Sequence, residues 1–327
     1  MAGSREIIVE KDDVDCRLST WITRANKRLN FNSVNTLCRK GLIRINGLKT
    51  KASYRLAIGD VISLPKIAVN DSSNRKAPKI DPKLAKLLLD SIIFEDEHLI
   101  ALNKPEGLAS QGGSSQGTRH LDAYKFMLQF GKKDPPRLIH RLDKDTSGIL
   151  LLARDIKTAN AFTTLFKEKE VEKIYWALVE GVPKKEEGIL ESYISNADIW
   201  KPRGNNSTID QKQSGLDRGY KKKAKTFYRV IENIGSQYAW LELRPVTGRT
   251  HQLRIHCADL GHPIIGDRKY KTREEKNSQD LPYTLKKLFL HAQSLSFVHP
   301  ISKRITKIEA ELPKHMDTVW KHFGWQV

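Results

Sequence analysis

The 327-residue sequence predicts an α+β protein in two parts, a small basic αβ domain followed by a larger domain on a mixed, mainly antiparallel sheet. Three observations carry that expectation. The length suits two hydrophobic cores better than one. Residues 17–67 combine helical and hairpin patterns and hold eleven Lys or Arg against a single acid, Asp60. Beyond about residue 84, short apolar runs and turn signals dominate, with only occasional helical spacing.

The elements follow in chain order. Leu18, Trp21, Ile22 and Ala25 share one helical face. Val34, Leu37 and Cys38 begin a second, with Ser33 as its N-cap and Gly41 just past its end. Leu42–Ile45 then runs into Asn46-Gly47, the dipeptide of a type I′ hairpin turn, and Val61–Leu64 supplies a closing strand. Residues 68–83 are polar, contain Pro and lack a pattern, which reads as a linker. The division is therefore 1–67, linker 68–83, and 84–327. In the larger part, Ile92–Leu102 holds strands around Glu95-Asp96-Glu97, and Gly148–Arg154 is a short apolar strand. Ala159, Phe162, Leu165 and Phe166 mark a helix over about 156–169, followed by a strand at Ile174–Val179. Segments 226–232 and 238–245 alternate as a hairpin. Leu253, Cys257 and Leu260 mark a last helix, stopped by Gly261 and Pro263. Residues 196–225 read as a long surface excursion with a basic end.

Composition narrows the function. With 57 Lys+Arg against 38 Asp+Glu, the net charge of +19 favours a polyanionic partner, nucleic acid first and an anionic membrane surface second. The membrane reading weakens because no apolar run approaches the roughly 18 residues of a spanning helix. The N-terminal sequence around Glu6–Asp13 has the character of neither a signal nor a transit peptide. Cys16, Cys38 and Cys257 are scattered, with no zinc or disulfide spacing, so a reducing cytoplasmic compartment is expected. His251 and His256 are five apart with no Glu between them, which does not fit a helical zinc site. Glycine spacing fits neither a dinucleotide fold nor a P-loop. The sequence thus carries no motif that supports a metal site or a nucleotide cofactor.

His140–Gly148 is the densest chemical motif. Asp143 lies between Arg141 and Lys144, next to an apolar strand. Flanking cations favour an ionised carboxylate, and a carboxylate held at a core strand suits a covalent nucleophile. The plain alternative is a charged turn. Lys104 follows a strand in the Asn103–Leu108 loop, either to meet a phosphate or as an ordinary loop lysine. Tyr175 faces opposite to Ile174 and Trp176, placed to stack on a base or to fill a core. Arg254 lies off the centre of its helix's apolar face, from where it can grip a carboxylate with two bonds.

Arg17-Leu18, Arg39–Gly47 and Gly59–Ile62 resemble the S4 RNA-binding domain. Arg39, Lys40 and Arg44 then form a patch for RNA phosphates. The Asn103-Lys104-Pro105 loop, His140–Gly148, Lys173–Gly181, Thr247–His256, Gly266–Tyr270 and Leu290-His291-Ala292, in that order, resemble the RluA-type pseudouridine synthases. An S4-like module in front is most similar to the bacterial branch acting on large-subunit ribosomal RNA, above all its C group and next its D group. The resemblance implies a sheet crossed by a cleft, ribosomal RNA as partner, and no cofactor. It makes Asp143 the nucleophile, Arg254 its partner, Tyr175 the residue that stacks on the base and assists removal of its C5 proton, and Arg141 the residue filling the gap left by a flipped uridine. Attack at C1′, attack at C6 and elimination at the ribose all remain open. A monomer is expected. Two other classes compete: an RNA-binding protein without catalysis, which leaves the His140–Gly148 motif idle, and a glycosidase-like hydrolase, which needs a second carboxylate such as Asp145.

Overall fold

In the computed structural model, residues 4–10, 13–26, 29, 31–65, 81–112, 120–132, 134–194, 222–270 and 286–327 are described. The chain divides into two compact units, Met1–Ala77 and Pro78–Val327.

The first unit is a four-stranded sheet with two helices. Strands β1 (Ser4–Ile8), β4 (Val61–Pro65), β2 (Arg44–Ile45) and β3 (Leu48–Lys49) lie side by side in that order. Helices α1 (Leu18–Ala25) and α2 (Phe31–Arg39) close its core through Leu18, Ile22, Val34 and Cys38. The Asn46-Gly47 turn adopts positive φ at both residues, 51° and 77°, as a type I′ hairpin demands. Helix α2 begins at Phe31, so Ser33 sits inside its first turn and does not cap it. Strand β1 pairs with β4 although its sequence carries little strand signal.

The second unit is built on a ten-stranded sheet. Eight strands run in the order β10 (Glu187–Ile194), β11 (Lys222–Ile234), β12 (Tyr238–Pro245), β9 (Glu172–Glu180), β13 (Leu290–Val298), β8 (Ser147–Ala153), β6 (Leu99–Lys104) and β5 (Ile92–Glu95). Strand β14 (Ile305–Glu309) joins β13, and β7 (Arg137–Leu138) joins β8. All neighbouring pairs are antiparallel except β8 with β13. The mixed, mainly antiparallel sheet expected from the hairpins is present.

Burial explains the apolar run after the motif. Leu150 and Leu152 of β8 face a cluster with α3 (Pro82–Asp90), while Ile149 and Leu151 face α4 (Ile156–Glu168). A strand covered on both faces cannot alternate. Around β9 and β12, α5 (Gln252–Asp259) and α6 (Lys314–His322) complete the largest cluster, with Trp240, Trp320 and Trp325 at its centre. Helix α3 starts within the span read as linker, where Asp81 accepts from the Lys83 amide and Pro82 occupies the first turn. Residues 66–80, most of that span, and 195–221 of the expected excursion lie outside the described residues. Strand β10 is an edge with exposed alternate residues, and β13 buries His291 and Ser294; neither has a strong apolar pattern. Among the described residues, no helix is long and apolar enough to cross a membrane.

One backbone contact sets the geometry of the cleft. Gly148 pairs with Ala292 across the parallel β8–β13 junction, at φ 105°. A Cβ there would stand 2.2 Å from the Ala292 carbonyl oxygen, so any side chain would force the strands apart. Ala292 in turn pairs with Tyr175 on β9. The glycine that ends the charged motif thereby brings its loop within two strands of that tyrosine.

Candidate active site

The loop from His140 to Thr146 leaves β7 and enters β8, and its side chains alternate. His140 and Leu142 anchor it. The Leu151 amide donates to His140 Nε2 at 3.0 Å, and the His140 ring stacks on Phe166 with centroids 5.1 Å apart. Burial, then the Lys173 charge, pushes the His140 pKa down to about 3, so the ring is neutral and serves as an acceptor. Ser110 Oγ binds both sides of Leu142, donating to its carbonyl at 2.8 Å and accepting from its amide at 3.1 Å. Arg141 and Asp143, at the alternate positions, face the cleft. The Thr146 amide donates to the Asp143 carbonyl at 3.2 Å and closes the turn.

Lys104 is fully buried beneath this loop. Its ammonium donates to the carbonyls of Pro105 and Leu108, each at 2.9 Å, and of Lys144 at 3.2 Å. Desolvation pulls its pKa down to about 8 against the attraction of Asp145, Glu106 and Asp143. This corrects the expectation that Lys104 binds RNA. With its three donors turned inward to three carbonyls, it clamps the loop and cannot reach a phosphate.

Two cavities meet at Asp143. One, of about 950 Å³, carries Arg268, Lys269, Lys286 and Lys287 on its walls. The other, of about 530 Å³, is lined by Tyr175, Val246, Leu290 and Lys173. Arg141, Leu142, Asp143, His251 and Arg254 border both. Tyr175 is partly buried, and burial together with the negative charge of Asp143 pushes its hydroxyl well above the ordinary range, so it stays protonated. Lys173, two residues earlier on the same face of β9, is brought down to about 8 by desolvation.

Arg254 makes the two-bond grip that its helical position predicts, but on a different carboxylate. Its Nε and Nη2 donate to Asp267 at 2.6 and 2.7 Å. Burial opposes the arginine's charge, and the Asp267 bonds outweigh it. The direct pairing of Arg254 with Asp143 is thus corrected: Arg254 acts on Asp143 through charge alone. Asp267 won because the turn after Gly266 carries it to the helix, where it also accepts from the amides of Lys269 and Tyr270. The side chain that faces Asp143 is instead His251, whose Nε2 lies 3.9 Å from Asp143 Oδ2. Sequence reasoning weighed His251 only as a metal ligand. Its position immediately before α5, in the Thr247–His256 motif, was the available signal.

In the first unit, Arg39 and Lys40 are exposed at the end of α2. Arg44 is exposed as well, but its guanidinium is partly engaged, donating to the Gly41 and Gly47 carbonyls at 3.1 and 3.0 Å.

Residues 98–259 match the family model for RNA pseudouridylate synthase. The ribosomal large subunit pseudouridine synthase C of Vibrio cholerae is 34% identical, over 95% of this chain and 94% of that protein. The enzyme of the same name from Rickettsia typhi is 35% identical, over 94% of this chain and 97% of its own length. Among solved structures, the human RNA pseudouridylate synthase domain containing 4 is similar with a TM-score of 0.61 and 30% identity, covering 75% of this chain and 97% of that one.

Proposed function

The chain belongs to the RNA pseudouridylate synthase family, and on that premise we propose that it isomerises specific uridines of large-subunit (23S) ribosomal RNA, with Asp143 as nucleophile. The observation that supports this most is the position of Asp143 on the border of a basic cavity and a smaller one holding Tyr175.

The reaction breaks an N-glycosidic bond and forms a carbon–carbon one, without redox change. A uridine inside a folded RNA exposes neither C1′ nor C6, so the base must leave its stack. The basic cavity suits the sugar–phosphate backbone, and Arg141 at the mouth of both suits the space the base vacates. The smaller cavity suits the uracil ring, with Tyr175 as its stacking surface. With its hydroxyl kept protonated, Tyr175 can orient the ring by stacking and hydrogen bonding. Asp143 carries the covalent or eliminative step at the ribose or the ring. Arg254, held in place by Asp267, borders the same cavities as Asp143. The detached uracil turns inside the cavity and reattaches through C5, which then loses its proton.

The first unit is read as an S4-like module, residues 1–67, with Arg39, Lys40 and the free edge of Arg44 attracting RNA phosphates. Segment 68–83 is read as a linker and 84–327 as the catalytic domain. A cytoplasmic monomer completes the proposal, in keeping with cysteines that show neither zinc nor disulfide spacing.

The test uses unmodified rRNA carrying tritium at uracil C5. Wild-type protein is expected to release the label to water, and Asp143→Ala to lose at least about 10⁴-fold in rate while RNA affinity stays within a few fold. Retention of the label by wild type with RNA bound would overturn the reading. Free uracil in solution would instead mark a hydrolase.

A further inference from the structure

We infer that His251, locked by Tyr270, is a positioning residue that aims the Asp143 carboxylate. The inference rests on Asp143 as the reacting group and goes beyond it by naming what holds that group.

Four contacts form a chain. His251 Nε2 faces Asp143 Oδ2 at 3.9 Å. His251 Nδ1 lies 2.7 Å from the Tyr270 hydroxyl. Tyr270 is buried, and Arg254 lies over its ring at 5.1 Å. Asp267, gripped by Arg254, accepts from the Tyr270 amide at 3.1 Å and so anchors that residue's backbone. The histidine itself is held in an unusual backbone state. It occupies the N-cap position of α5 with φ 56° and ψ 18°, the left-handed region, and its side chain makes no capping bond. A non-glycine residue there costs about 1 kcal/mol or more and persists where its surroundings dictate it. Here the left-handed turn directs the imidazole into the cleft, away from the helix end.

The neighbours also assign the tautomer. A lone pair on Nε2 would face the Asp143 carboxylate, so the proton belongs on Nε2. Nδ1 then accepts from the Tyr270 hydroxyl. Burial first, then the Arg254 and Lys269 charges, lowers the pKa of His251 against the pull of Asp143 and Asp267, so the ring is neutral at neutral pH. A neutral N–H orients a carboxylate without delivering the full charge that would quench its reactivity. At 3.9 Å the contact is longer than a hydrogen bond; such catalytic contacts shorten once substrate displaces water.

The experiment is single-turnover tritium release at saturating RNA. His251→Asn fits the left-handed backbone but puts no donor at the Nε2 position. It is expected to slow release about 30-fold, with RNA Kd and unfolding midpoint near wild type. His251→Gln carries an amide N–H to about the place of Nε2 and is expected to recover to within about five-fold of wild type. Tyr270→Phe removes one oxygen and is expected to cost about ten-fold. The inference is overturned if His251→Asn and Tyr270→Phe both stay within about two-fold of wild type, or if His251→Gln is as slow as His251→Asn. Should the His251 variants not fold, Tyr270→Phe alone decides on the same criterion. Failure of wild type to release label would sink the reading of Asp143 itself, an outcome distinct from any of these.

Discussion

Two basic regions of this protein use their charges in opposite ways. Around the His140–Thr146 loop, two buried charges have partners fixed by the fold: Lys104 on three carbonyls and Arg254 on Asp267, while Asp143 lies opposite the neutral His251. At the end of α2 in the first unit, Arg39 and Lys40 stand exposed. A desolvated charge acts strongly but only on what it touches, and removing its partners is costly. An exposed charge acts weakly on any one group but reaches a polyanion over about a Debye length, near 8 Å at physiological salt. The first arrangement suits chemistry and the second suits capture of RNA.

Three changes would break or sharpen that contrast. The largest effect is expected from Lys104→Ala. It strips three charge-assisted bonds and opens a void under the loop, at a cost of about 3–5 kcal/mol. Denaturant unfolding followed by tryptophan fluorescence measures it. A loss under about 1 kcal/mol would mean that Lys104 is not the clamp described.

Acid comes next. His291 is buried with Ser147 Oγ 2.9 Å from its Nδ1, and desolvation brings its pKa down to about 4. The unfolded chain, with an ordinary value near 6.5, takes up the proton first. The stabilisation is therefore complete above about pH 6.5 and is lost as pH falls toward 4. At pH 5 the expected loss is about 2 kcal/mol from this residue. A stability profile that stays flat from pH 6.5 down to pH 5 would contradict the neutral, buried imidazole.

The smallest effect belongs to the exposed pair. Arg39→Ala combined with Lys40→Ala is expected to flatten the dependence of log K on log salt by about 1.4, roughly 0.7 for each contact to single-stranded RNA. Affinity falls several-fold at physiological salt, while single-turnover tritium release at saturating RNA stays at the wild-type rate. An unchanged salt slope would remove both residues from the RNA contact.

Much of the architecture was legible because it is written in local periods. The apolar faces of α1, α4 and α5, the Asn46-Gly47 hairpin and the β11–β12 pair each follow from spacing within a single element or between two consecutive ones. Elements whose stability comes from neighbours escaped. Strand β1 exists because β4 accepts it, and β13 buries His291 and Ser294 because β8, β9 and β14 surround it. Of the site, Asp143 and Tyr175 were singled out by residue type and context, and they do border one cavity.

By itself, the sequence determined the two-part α+β organisation, the basic character and the loop that presents Asp143. Which charge meets which partner was decided only by the tertiary structure. Arg254 turned to Asp267, Lys104 went under the loop, and the left-handed His251 came to face Asp143 with Tyr270 behind it. The physical reason is that periodicity is a property of consecutive residues, whereas Coulombic pairing and desolvation fall off within a few ångströms. His251 stands 108 positions from Asp143 in the chain and 3.9 Å from it in space, and no local pattern encodes that distance.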